Sequence, residues 1–270
     1  MKRQRLNWQE KVKKNVRKIM DFEHVKAVFE EYLNGYDREN DKVKLKIVHT
    51  YGVIRCSEEI GRRMGLQAED MELAKLIALL HDIGRFEQLK RFNSFEADTM
   101  DHATYGVKVL FEEGMIRQFI EEDTWDDVIR TAIAKHSDYE LTGITDERTL
   151  LHARLIRDAD KLDNCRVKLE DAMETLLDLS ADEVGKYAIS PKVREDAFAG
   201  KCICSKDRRT PMDYWVSYVA YFYDLNFQET LDIVAEEQYV KRIIGRVPYT
   251  NEQTKKTMEW YSVMLGKKFP

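Results

Sequence analysis

Three properties of this chain predict an all-α fold. Only 4 prolines and 12 glycines interrupt 270 residues, too few for the turns of a β-rich protein. Apolar residues recur at three- and four-residue spacings over most of the length, the repeat of a half-buried helix. The periodic runs start at residues such as Thr210-Pro211 and stop at Gly65 or Asn34-Gly35, the chemistry of helix ends.

Taken in order, the first periodic run extends from Trp8 to Leu33 (Val12, Val16, Ile19, Phe22, Val25, Val28, Phe29, Tyr32, Leu33) and ends at Asn34-Gly35. A second helix is expected over 42–64. After His49 its apolar positions are Val53, Cys56 and Ile60, at +4, +7 and +11, so His49 falls on the buried stripe. A third, 68–81, ends in the apolar Leu76-Ile77-Ala78-Leu79-Leu80 and delivers His81 and Asp82 into the interior, where Gly84 stops it. The mixed aromatic and charged stretch 85–101 reads as a loop or short irregular helix, suited to the rim of a site. Helices resume at about 102–113, 124–136, 147–178 with a break, 190–199, 211–224, 227–244 and 251–265, with Thr250 as N-cap of the last.

No linker or low-complexity stretch divides the chain, so residues 1–270 are expected to form one domain. The segments HTYGV at 49 and HATYGV at 102 look alike, but their surroundings do not repeat. The aromatic C-terminal part (Tyr214, Trp215, Tyr218, Tyr221, Phe222, Tyr223, Phe227) is expected either to pack on the main bundle or to form a homodimer surface.

Composition excludes several functions. Hydrophobic residues make up 43%, enough for a full core. Net charge is −5, the wrong sign for an extended nucleic-acid surface. No apolar run reaches membrane-spanning length, and the basic N-terminus lacks a signal core. The cysteines Cys56, Cys165, Cys202 and Cys204 form no disulfide framework, and Cys202-x-Cys204 lacks the second pair that a thiolate site needs. A cytoplasmic location is expected.

Four of the six histidines fall in one series with aspartates: His49, His81-Asp82, His102, His136 and Asp160. Imidazoles and carboxylates are the ligands that borderline and hard divalent ions accept. A lone His49 would be an ordinary core histidine. Adjacent titratable groups at the end of an apolar helix are different, because burying them unpaired is costly and a divalent ion removes that cost. Asp160 follows the same logic after Leu155 and Ile156; Asp158 lies about 200° round the helix from it. His24 reads as a surface or packing residue, and His152, eight residues before Asp160, lies too far round and along the helix to share a ligand position with it.

The segments VHTYGVIRCSEEIG, LIALLHDIGRFEQ and LIRDADKLDN together resemble the HD superfamily of metal-dependent phosphohydrolases, over roughly residues 40–170. The resemblance implies an HD-type helical bundle; the additional C-terminal helices from about 205 lie outside it and are expected from the apolar repeat alone. It implies four metal ligands, His49, His81, Asp82 and Asp160, with His102 and His136 at the positions of a second metal or a phosphate contact. Lys135 stands where one branch often has a further histidine, and that branch's Gly-Tyr-Pro signature is missing, which speaks against cyclic-dinucleotide cleavage. The implied cofactor is one divalent ion or two (Mn, Fe, Co, Ni, Mg or Zn), the implied partner a small phosphorylated substrate such as a nucleotide. The implied reaction is phosphomonoester or phosphodiester hydrolysis, in which the metal lowers the pKa of water from about 15.7 towards about 7. Asp82 would orient or deprotonate that water, and Arg85 and Lys161 would contact phosphate. The alternative is a non-catalytic HD-type module that senses a nucleotide.

Overall fold

The computed structural model describes residues 20–96 and 98–269, and among them helices are the regular elements and no strand occurs. Helix α1, Phe22–Leu33, starts where the Asp21 carboxylate accepts from the His24 amide at 3.2 Å. The expected run from Trp8 is thus capped afresh at Asp21, and its part over 8–19 lies outside the described residues. Helix α2, Asp41–Met64, opens on Asn40, whose side chain accepts from the amides of Lys42 and Val43. It closes on Gly65 at φ 72°, a conformation that glycine adopts without strain.

Helix α3, Ala68–Leu80, is buried on most sides towards its end, from Leu76 through Leu80. The expected irregular stretch after it is half regular: α4 spans Ile83–Phe92, and the described residues from 93 to 101 carry no helix. Gly84 lies inside α4 and does not stop a helix. Its role is spatial, since a Cβ there would collide with the His102 carbonyl oxygen and crowd Gly106. Removing that Cβ lets α4 lie against α5, His102–Val107. Helix α5 runs on into a π turn, Lys108–Glu112, followed by the short α6, Ile116–Phe119, and by α7, Asp126–Lys135.

Helix α8, Glu147–Glu170, is the long central element, packed along α2 and α7. The anticipated break falls at Asp171-Ala172, before α9, Met173–Leu177. Beyond it lie α10 (Ala181–Val184), α11 (Pro191–Phe198) and α12 (Pro211–Ala220), the last opened by a Thr210–Asp213 capping box as the Thr-Pro pair suggested. The expected helix over 227–244 is two, α13 (Gln228–Glu236) and α14 (Tyr239–Ile244), because Gln238 turns left-handed at φ 52°. Helix α15, Glu252–Lys268, is capped by Asn251, which accepts from Gln253 and Thr254; Thr250 instead gives its amide to the Gly185 carbonyl.

The C-terminal elements are tied to α8 by buried polar contacts. Asp158 is fully buried and accepts from the Asn226 amide and side chain and from the Phe227 amide. Arg157 donates to Asp224 at 2.6 Å and to the carbonyls of Lys135 and His136, each at 3.2 Å. Trp215, Phe222 and Tyr261 join the hydrophobic core. None of the described helices is long and apolar enough to cross a membrane.

Candidate metal centre

The series of histidines and aspartates converges. His49 leaves the middle of α2, His81 and Asp82 the turn between α3 and α4, His102 the start of α5, His136 the end of α7, and Asp160 the middle of α8. His49 Nε2 lies 3.0 Å from Asp160 Oδ1, and His81 Nε2 lies 3.9 Å from that same oxygen. His81 Nε2 is 3.5 Å from Asp82 Oδ2. Asp82 Oδ1 faces the other way, 3.2 Å from His102 Nε2 and 3.6 Å from His136 Nε2.

Two groups of donors among the described residues could therefore hold a cation: His49, His81 and Asp160, and beside it Asp82, His102 and His136, each with its ligand atoms within 4.8 Å of one another. Asp82 groups with His102 and His136 and touches the first set through His81. The four ligands expected from sequence are adjacent, and the two additional histidines are equally close.

Hydrogen bonding shows which nitrogens are bare. His81 and His136 each cap the C-terminus of a helix, and each Nδ1 lies 2.7 Å from the carbonyl three residues back, Ala78 and Ile133. A carbonyl can only accept, so both Nδ1 atoms carry protons, and in the neutral ring each Nε2 presents a lone pair. His49 Nδ1 sits 2.8 Å from Asp163 Oδ2, the same arrangement with a carboxylate. His81 Nε2 and Asp82 Oδ1 are buried without any hydrogen-bond partner. His102 Nε2, which accepts from Arg85 at 2.9 Å, faces the bare His136 Nε2 at 3.1 Å. Electron-rich atoms this close, desolvated and without protons between them, repel one another unless a cation is shared.

Residues 47–165 match the model of the HD domain family. This segment is an HD domain. HD domains belong to a superfamily of metal-dependent phosphohydrolases. Ribonuclease Y of Acetivibrio thermocellus is 29% identical to the chain over 165 residues, 58% of this chain and 27% of the ribonuclease. The chain thus spans about a quarter of that relative's length. No solved structure matches it.

Electrostatics in the HD domain favour bare ligands. Burial pushes the His81 imidazole down to about 4, and burial with the Arg85 charge pushes His102 down to about 3. Burial alone would raise the carboxyl of Asp82, but the charges of Lys46, His81 and Arg85 outweigh it and hold Asp82 well below the usual range. Asp160 is likewise held low against burial, chiefly by its bond to His49. At neutral pH His81 and His102 are neutral imidazoles, and Asp82 and Asp160 are ionised carboxylates.

Three participants were not assigned roles from sequence. Asp163 anchors His49 and is itself gripped by Arg166, at 2.9 and 3.0 Å. Gly52 makes room for it, since a Cβ at 52 would collide with the Asp163 carboxylate. Lys46, one turn before His49, places Nζ 2.6 Å from Asp82 Oδ2. Asn164 donates to Asp160 Oδ1 at 2.9 Å. Spacing carried the signal for all three: Asp163 and Asn164 lie in the same DADKLDN motif as Asp160, and Lys46 shares a helix face with His49.

Of the expected phosphate contacts, Arg85 is at the cluster, 3.7 Å from Asp82 Oδ1 and bonded to Gln88 at 2.6 Å. Lys161 is turned to Asp224 at 2.7 Å. The residues beside His136 form a surface pair, Lys135 with Asp138. His152 bonds Asp70 at 3.0 Å, and His24 the Gln118 carbonyl at 2.9 Å, both in structural roles.

Proposed function

We propose that the chain is a phosphohydrolase in which His49, His81, Asp82 and Asp160 hold a divalent cation, with His102 and His136 able to complete a second site through Asp82. The observation that carries this is the pair of buried, unpartnered atoms His81 Nε2 and Asp82 Oδ1, which lie 3.9 Å from Asp160 Oδ1 and 3.6 Å from His136 Nε2. The mixed imidazole and carboxylate set suits manganese, iron, cobalt, nickel or zinc better than an all-oxygen site would. A cation bound there supplies acidity to water at neutral pH and offsets charge developing on the phosphoryl group.

The chain's own residues do the rest. Asp163 fixes the tautomer of His49 and so keeps Nε2 turned inward. Asp82 ionises too readily to store a proton, so its role is to accept a hydrogen bond from the attacking water and aim it. The Arg85 guanidinium, held by Gln88 and His102, offers a planar fork to phosphate oxygens. The relative's name, ribonuclease, favours a phosphodiester of a nucleotide as substrate over a monoester. The HD core at about 40–170 and the C-terminal helices are proposed to act as one domain, joined at Arg157 and Asp158.

Metal analysis of purified protein, with monoester and diester substrates supplemented with Mn²⁺, Co²⁺ or Ni²⁺, tests the reading. Turnover that disappears in His81→Ala and Asp82→Ala protein supports it. Nucleotide binding without turnover under any metal rejects it in favour of a sensing module.

A further inference from the structure

Arg85 engages one of the cluster's own ligand atoms. Its Nη2 donates to His102 Nε2 at 2.9 Å, and its Nε lies 3.7 Å from Asp82 Oδ1. That Nε is buried and makes no hydrogen bond. The remaining nitrogen, Nη1, donates to Gln88 Oε1 at 2.6 Å. Gln88 is fully buried and fixed in turn, donating to the Glu96 carbonyl at 2.8 Å and the Thr99 hydroxyl at 2.7 Å. The guanidinium is thus anchored at Nη1, while its Nε–Nη2 edge is turned to the cluster.

A guanidinium can only donate, so His102 Nε2 accepts and its one lone pair is engaged. That lone pair is what His102 would offer a cation in the group Asp82, His102 and His136. It cannot serve both partners. Arg85 also brings a positive charge to 3.7 Å from Asp82 Oδ1, where it repels a divalent cation seeking the same oxygen. The donor atoms of the other group, His49 Nε2, His81 Nε2 and Asp160 Oδ1, bond no arginine among the described residues. The two groups are therefore unequal. One can take a cation with every side chain where it stands, and the other needs Arg85 to let go of His102.

We propose that Arg85 governs the second cation position, standing in for the ion until a phosphate group of the substrate draws the guanidinium off His102. This rests on the hydrolase reading for the source of the phosphate, though not for the exclusion itself. An imidazole is a modest partner for a guanidinium, whereas two phosphate oxygens match its Nε–Nη2 edge and carry the opposite charge. The Arg85 side chain is 13% exposed, so an incoming anion can reach it. Gln88 keeps hold of Nη1, so freeing His102 asks only for a local turn of the planar group. Phosphate and second ion then load together, and each strengthens the other by the same factor.

Titration of Mn²⁺ into the full chain, followed by calorimetry and by the spin coupling of paired Mn²⁺ ions, tests this. Wild type is expected to bind one ion tightly and a second weakly. Arg85→Met should bind the second about tenfold tighter or more, the value of the charge-assisted hydrogen bond given up at His102. Adding His136→Ala to Arg85→Met should abolish that gain, which ties it to the group of Asp82, His102 and His136. Inorganic phosphate should tighten the second ion about tenfold more in wild type than in Arg85→Met, where no guanidinium remains to be drawn off. If the Met variant does not fold, Arg85→Gln carries the same expectations. Two equally tight ions in phosphate-free wild type, or a folded neutral variant that takes the second ion no more tightly, overturns the proposal. So does a phosphate effect of equal size in both proteins. Arg85-dependent pairing of ions without turnover of any ester would reject the hydrolase and leave this inference standing. Turnover with second-ion affinity indifferent to Arg85 would do the reverse.

Discussion

His49 is held between two aspartates of one helix: Nδ1 is 2.8 Å from Asp163 and Nε2 is 3.0 Å from Asp160. One carboxylate orients the ring and the other shares its target. Asp163→Asn would weaken the control of tautomer and ring orientation while leaving the core intact. Loss of such a supporting carboxylate is expected to lower metal affinity by about 10- to 100-fold. Titration of Mn²⁺ or Co²⁺ into the variant measures this, and an unchanged affinity would contradict the role given to Asp163.

Cation binding should stabilise the fold, because the unfolded chain cannot assemble donors from five different segments. At a free metal concentration about a hundred times Kd, stability should rise by about 2.7 kcal/mol. Thermal melts with EDTA and with added Mn²⁺ report the shift. His81→Ala should abolish it, and a metal-independent melting temperature in wild type would argue against the cluster as a metal site.

Acid should unfold the metal-free protein progressively. His81 and His102 titrate in the folded state near 4 and 3, below the ordinary value near 6.5. The unfolded chain therefore takes up protons first as pH falls. Stability from these groups is complete above about 6.5 and declines from there to about 3, by about 2 kcal/mol per histidine at pH 5. His152, lowered by burial despite its bond to Asp70, adds in the same direction. Urea denaturation at pH 7, 6 and 5 gives the slope; a flat profile would mean that these rings are not buried as neutral groups.

Gly52→Ala places a methyl group where the Asp163 carboxylate stands. Separating α2 from α8 at this point should cost about 1–3 kcal/mol of stability. The same change breaks the bond to His49, so metal affinity should fall with it. Denaturant melts and metal titration on one protein sample check both, and a variant losing neither would show that the two helices are free to part.

The apolar repeat made most helices legible, and the site was legible because charged groups at the ends of apolar runs have few explanations. What escaped was information carried between elements. Gly84 resembles a helix stop in sequence, yet its function is the close approach of α4 to α5, which only the partner backbone reveals. The look-alike segments at 49 and 102 share a physical reason of this kind: in each, a glycine one turn after a site histidine lies where another element crosses, Asp163 over Gly52 and Ile83 over Gly106. Lys161 sits beside Asp160 in sequence, but a helix turns neighbours about 100° apart, and Asp224 captures it. Thr250 resembled a cap, but the next residue, Asn251, has the side chain that reaches the free amides.

Helix α8 serves two masters along its length. Positions 160, 163 and 164 serve the cluster, while 157, 158 and 161 grip the segment around Asp224 and Asn226. A protein shortened to end at residue 204 would strip Asp158 of its Asn226 and Phe227 donors and Arg157 of its carboxylate, midway along the rod that carries Asp160. Removing the tail should therefore loosen the floor of the cluster itself, and the smallest metal-competent version of this protein is expected to retain it.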